Sequence, residues 1–168
     1  MKKILFVAVL ALASITAYAQ PRAIGANLGG SLGFSYQHGF GEANMLDVSV
    51  YTPIAVGRAQ AWGLSGIVTY DWIDPFNAPV PWNNKGEWHW YMGVGGAGGY
   101  FFGANLGYVG VAGHFGIEYD FWFPFQLSLD WRPVIGVGLL GDGQGGIGVG
   151  FNTAGLYEGI TLGVRYKF

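Results

Sequence analysis

The last nine residues constrain the fold more than any other stretch. Ile160, Leu162, Val164, Tyr166 and Phe168 occupy every second position, with Thr161, Gly163, Arg165 and Lys167 between them. A strand sends successive side chains to opposite faces, so this run is a strand with one apolar and one polar face. Its apolar face continues to the last residue of the sequence. That is an odd end for a water-soluble domain, and the rest of the chain is judged against it.

Composition points the same way. Charged residues make up 11% of the chain, against about 25% in ordinary soluble domains. Aromatics make up 17%, and there are 31 glycines. Beyond the N-terminus there is no apolar run long enough for a spanning helix, which needs about 20 residues. Few charges, many aromatics and apolar residues spread over alternate positions suit a membrane barrel, whose lipid-facing and lumen-facing residues alternate. Basic residues number eight against ten acidic. Two of the eight, Lys2 and Lys3, head an N-terminal export signal, so no basic patch for nucleic acid is visible.

That signal has a positive n-region, an apolar stretch from Ile4 to Leu12, and Ala17-Tyr18-Ala19 as a small-x-small cleavage site before Gln20. Residues 1–19 are therefore expected to be a signal peptide and residues 20–168 one barrel domain. The chain contains no cysteine, which excludes disulfides, thiolate metal sites and a lipidated N-terminal Cys.

Alternation predicts eight strands. The first runs from Ala23 to His38, with Ile24, Ala26, Leu28, Leu32, Phe34 and Tyr36 on one face and Asn27, Ser31, Ser35 and Gln37 on the other. Others lie around Leu46–Tyr51, Trp62–Trp72, Trp88–Val94, Val109–Tyr119, Leu127–Arg132, Ile147–Phe151 and Tyr157–Phe168. Turns are expected at Gly39–Asn44, Gly95–Gly103, Asp120–Phe125 and Gly141–Gly146. The Pro-rich stretch Ile73–Glu87 reads as the longest loop. The expected fold is all-β, an eight-stranded antiparallel up-and-down transmembrane β-barrel, with a secreted β-sandwich as runner-up. Its aromatics fall into two rims, Tyr36, Tyr70, Trp72, Trp88, Trp90 and Tyr119 at one and Trp131, Tyr166 and Phe168 at the other. With both termini periplasmic, the turns at Gly39–Asn44, Ile73–Glu87, Asp120–Phe125 and Asn152–Leu156 are expected outside.

The terminal run resembles the C-terminal insertion signal of bacterial outer-membrane β-barrels, with Ile160, Leu162, Val164, Tyr166 and Phe168 at its outward positions. The chain as a whole resembles the small OmpA/OmpX-like, porin-family barrels, in phrases similar to a Bacteroidota set. Those phrases are Ser35-Tyr36-Gln37-His38, Gly116-Ile117-Glu118-Tyr119, Gln126-Leu127-Ser128-Leu129-Asp130-Trp131-Arg132-Pro133 and Gly163-Val164-Arg165-Tyr166-Lys167-Phe168. The resemblance implies an outer-membrane location. It implies outer-membrane lipid and lipopolysaccharide as surroundings, and the barrel assembly machinery as a partner during insertion. It says little about activity, and the sequence, which ends at the insertion signal, is expected to lack an OmpA-style peptidoglycan-binding domain.

The inward face carries the chemistry. Asp47, Asp71, His114, Glu118, Asp130, Arg132 and Arg165 are expected to form a charge network in the lumen, with His89 and Lys167 on the same face. Unpaired buried charge is costly, so such groups pair or stay hydrated. The favoured reading is a structural or interaction scaffold with a filled lumen. The alternative is a narrow channel for ions or small solutes, in which these charges tune selectivity. An envelope enzyme built on Ser128, His114 and Asp130 is a third reading, disfavoured because a narrow lumen gives a substrate poor access. A divalent ion at Glu87 and His89, with Asp71 across the loop, is a minor reading. No catalytic, metal or cofactor residue is assigned. Gly141, Gly143 and Gly146 fit G-x-G-x-x-G without a following helix, so the match carries no weight. Pro75, Pro79 and Pro81 read as a constrained loop.

Overall fold

A computed structural model of the chain describes residues 20–41, 43–53, 63–76, 85–103, 105–141, 147–152 and 159–168. The expected leader, Trp62, Pro79, Pro81, Gly143, Gly146 and the segment Asn152–Leu156 beyond its first residue lie outside them. Ten strand segments are present: β1 (Gln20–Gly29), β2 (Ser31–Gly39), β3 (Asn44–Pro53), β4 (Gly63–Phe76), β5 (Gly86–Phe101), β6 (Leu106–Phe121), β7 (Phe125–Trp131), β8 (Val134–Gly141), β9 (Ile147–Asn152) and β10 (Ile160–Lys167). All pairings are antiparallel, and the β5–β6 pairing closes the sheet on itself. β7 and β8 pair with successive stretches of β6, as β10 and β9 pair with β7 and β8. Each of these pairs is one interrupted wall strand, so the barrel has eight.

The eight strands are not divided as the sequence suggests. Ala23–His38 is a hairpin, β1 and β2, turning at Gly30, with Leu28 opposite Leu32. Leu28 and Leu32 are both outward and four residues apart, so the alternation passes through the turn without changing phase. Ile147–Phe151 and the C-terminal run are parts of one wall strand. Phe151 and Ile160 both point outward, but their positions differ in parity, and the phase slip between them imitates a turn. The wall strand is interrupted at Arg132 and Pro133, between β7 and β8, and Pro133 stays paired with β6. Gly113 N–H donates to its carbonyl at 2.8 Å, and outward Trp131 and Ile135 keep one phase across it.

Gly95 to Phe101 is strand, not a turn, paired with β4 on one side and β6 on the other, and at Gly95 the adjacent strand leaves no room for a side chain. A Cβ on Gly95 would lie 1.8 Å from the Val68 carbonyl oxygen. β4 likewise runs on through Phe76, so the Pro-rich connection is shorter than expected.

The corrected strand division reverses the expected sides of the connections. Phe168 N–H donates to the Arg22 carbonyl at 3.3 Å and Lys167 N–H to the Pro124 carbonyl at 3.1 Å. The turns after β2 and β6, and the Pro-rich connection from β4 to β5, therefore leave the barrel at the same end as Gln20 and Phe168. The β1–β2 turn and the connections from β3 to β4, β5 to β6 and β8 to β9 leave at the opposite end.

The rims change with them. Tyr166 lies opposite Ile24, which lies opposite Tyr36, so Tyr36, Tyr166 and Phe168 share the terminus-side rim. A run of ring contacts follows this rim through Tyr119, Phe121, Phe123, Phe125, Tyr166 and Phe168. Tyr100 and Phe102 mark the far rim, and Trp131 stacks on Phe115 within the wall.

Polarity is inverted relative to a water-soluble fold. Outward side chains are apolar and exposed along the wall, among them Leu32, Phe34, Val68, Val94, Val111, Leu129 and Val164. Inward side chains are buried and largely polar. A continuous apolar exterior of this extent is the informative departure, since isolated exposed apolar residues are commonplace. No helix among the described residues is long and apolar enough to cross a membrane, a criterion that does not bear on strands.

Candidate functional site: the lumen

Arg165 and Asp130 form the centre of the lumen. Arg165 extends from β10 between β1 and β7. Its Nε donates to Ser35 at 2.9 Å, Nη1 to Ser128 at 2.6 Å, and Nη2 to Asn27 and Asp130, each at 3.1 Å. Asp130 also accepts from Ser128 at 3.0 Å and from the Tyr91 hydroxyl. The five donors of a guanidinium allow one buried Arg to satisfy several acceptors at once.

Arg132 crosses the barrel. It stands at the β7–β8 junction and its guanidinium meets Asp47 of β3 in two contacts, at 3.1 and 3.4 Å. In the strand order β3 and β7 lie on opposite walls. Asp47 is held in turn by Ser49 at 2.7 Å. His114 of β6 places Nδ1 2.9 Å from Asp71 of β4, and Nε2 3.5 Å from Asp130. Asp71 thus belongs with His114 and lies opposite Gly93, away from Glu87 and His89.

A second group lies toward the terminus-side mouth. Glu118 accepts from Arg22 of β1 and, at 2.8 Å, from Gln126. Arg22 also donates to Gln37 at 2.9 Å, and Lys167 to Asp120 at 2.6 Å. His89 of β5 lies directly opposite Glu118 and Glu87 opposite Asp120. On the far side of the central network the lining turns apolar. Ile67, Ala97, Ala112 and Val134 pack together beside Tyr51 and Tyr108, whose hydroxyls meet at 3.3 Å.

The structure thus brings Asp47, Asp71, His114, Asp130, Arg132 and Arg165 into one buried cluster and places Glu118 at its edge. Arg165 reaches Asn27, Ser128 and Asp130 on the two strands beside it and Ser35 one strand further on. Arg22 was not legible as a member. It is the extra residue of a bulge between Pro21 and Ala23, and a bulge re-aims a side chain that simple alternation assigns to the other face. The only signal was a lone cation beside the first strand. Ser128, His114 and Asp130 are not wired as nucleophile, base and orienter. The Ser128 hydroxyl donates to Asp130 and accepts from Arg165, while His114 Nδ1 faces Asp71. Ser128, His114 and Asp130 are each buried.

In comparisons with known proteins, no family model, no curated protein and no solved structure matches the chain.

Proposed function

We propose that this chain is an integral outer-membrane β-barrel of the OmpA/OmpX-like kind, acting as a closed scaffold. The observation that carries the reading is the pairing of Arg132 with Asp47 between opposite walls, inside a barrel whose outer face is apolar. Lipid replaces water around such an exterior, and a closed barrel leaves no unpaired sheet edge in it. The Arg22–Glu118 and Tyr51–Tyr108 contacts span the lumen as well, so side chains bridge it at three levels.

In this reading residues 1–19 direct export and are removed near Ala19. The terminal run serves the barrel assembly machinery, and outer-membrane lipid and lipopolysaccharide surround the wall. With both termini periplasmic, the connections after β1, β3, β5 and β8 face outward, and interaction with the outside belongs to them. The Pro-rich connection faces the periplasm.

Solute and ion flux through liposomes carrying the refolded mature protein tests the scaffold, with a heat-dependent gel shift as folding control. Flux at the level of empty liposomes is expected. Steady flux from correctly folded protein replaces the scaffold with the channel reading and makes the lumen charges its selectivity groups.

A further inference from the structure

We propose that His89, Glu118 and Asp120 bind one divalent first-row transition-metal ion at the terminus-side mouth of the lumen. Each offers one ligand atom, and the three atoms lie within 4.8 Å of one another. His89 Nδ1 is 3.8 Å from Glu118 Oε1 and 3.9 Å from Asp120 Oδ2. Zinc bonds to imidazole nitrogen and carboxylate oxygen are about 2.0–2.2 Å long. Two ligands of one ion therefore stand roughly 3–4 Å apart, and the three groups need only a small contraction.

Two further observations point to a cation. His89 Nδ1 is shielded from solvent and makes no hydrogen bond, and the same holds for Asp120 Oδ1. Buried polar atoms are nearly always satisfied, and an unsatisfied one calls for a ligand. Carboxylates also crowd this stretch of the β5–β6 pair. Glu87 stands directly opposite Asp120, two rungs from the His89–Glu118 pair and on the same face. Like charges at directly opposed positions destabilise a sheet. Glu87 is exposed to solvent, while Glu118 and Asp120 already meet cations, with Arg165 acting on Glu118 from deeper in the lumen. Arg22 pairs with Glu118 and lies 4.0 Å from Asp120, and Lys167 bonds Asp120.

The donor set selects the ion. An imidazole favours zinc, nickel or copper over magnesium and calcium, which prefer all-oxygen sites. Arg22 and Lys167 bond Glu118 Oε1 and Asp120 Oδ2, the oxygens nearest His89 Nδ1, and Gln126 bonds Glu118 Oε2, so the ion shares these carboxylates with the partners that hold them in place. Their positive charge opposes the ion, so affinity on the order of micromolar is expected rather than the tight binding of a structural zinc site. His89 is partly exposed, giving the ion a route from the mouth.

The test is zinc titration of the refolded full barrel in detergent by calorimetry, with magnesium as competitor. One zinc per barrel is expected, retained in excess magnesium. His89→Ala should weaken it about tenfold or more, and His38→Ala, at a second histidine near the same rim, should leave it unchanged. Zinc-edge X-ray absorption of the parent should show one imidazole nitrogen among oxygen donors, and it decides the matter if His89→Ala fails the heat-shift folding control. No saturable zinc uptake, displacement by equimolar magnesium, parental affinity in folded His89→Ala, or an all-oxygen shell would each overturn the site.

Discussion

The ring of Tyr91 lies over the backbone of Gly116, and its hydroxyl reaches past it to Asp130. A Cβ at Gly116 would lie 2.4 to 2.6 Å from Tyr91 ring atoms. Glycine here is required by close approach, because the aromatic ring fills the space a side chain would take. Gly116→Ala should displace Tyr91, break its bond to Asp130 and cost about 1–3 kcal/mol. Tyr91→Phe keeps the ring and loses only the hydrogen bond, for about 1 kcal/mol. Urea-dependent folding into lipid vesicles measures both. Equal stability of Gly116→Ala and the parent would show that the ring does not depend on this gap.

Arg165 is the donor that the central acceptors share. Arg165→Ala leaves the Asp130 carboxylate buried without its main cation, and should destabilise the barrel by about 3–5 kcal/mol. Asp130→Asn in the same chain should recover part of that loss, because the uncompensated charge is gone. A simple sum of the two single effects in the double variant would mean that the residues do not act as a pair.

Arg132→Ala separates a scaffold from a gated pore. The parent should conduct no more than empty liposomes, and the variant should conduct more only if the Arg132–Asp47 bridge is what blocks passage. Unchanged flux in a folded variant would assign the block elsewhere, with the apolar layer around Ile67 and Val134 as the next candidate.

Depth along the wall provides a test of the membrane setting. Val94 stands midway along β5 and Tyr100 near its far end, both outward and exposed. Arginine at a bilayer midplane costs about 2–4 kcal/mol and near the interface about 0–1. Val94→Arg should therefore destabilise vesicle-folded protein far more than Tyr100→Arg. Equal penalties would argue against a bilayer around this face.

Orientation is readable in cells because the chain lacks cysteine. Phe102→Cys, at the far rim, should react with a membrane-impermeant maleimide in intact cells. Trp122→Cys, at the terminus-side turn, should react only after the outer membrane is opened. The reverse pattern would invert the assignment of the connections.

The alternation of residues was enough to indicate an all-β chain, the outward and inward sets, and the polar character of the lumen. Period-two patterning is local, and each of Asp47, Glu118, Asp130 and Arg165 carries its facing in its own neighbourhood. It was not enough to count strands correctly along the chain. The turn at Gly30 preserves phase and hides a hairpin, while the slip before Ile160 breaks phase within one wall strand. The two misreadings cancelled in the total and inverted the sides of the connections. Which residues meet was decided by strand register and by closure. The Arg132–Asp47 bridge and the His89–Glu118–Asp120 cluster depend on register and on the barrel's curvature, and Arg22 enters the lumen through a bulge. The first is a relation between opposite walls, fixed when the sheet closes and brings them within reach of a side chain, and the second is set by the register of the β5–β6 hairpin, neither of which alternation encodes.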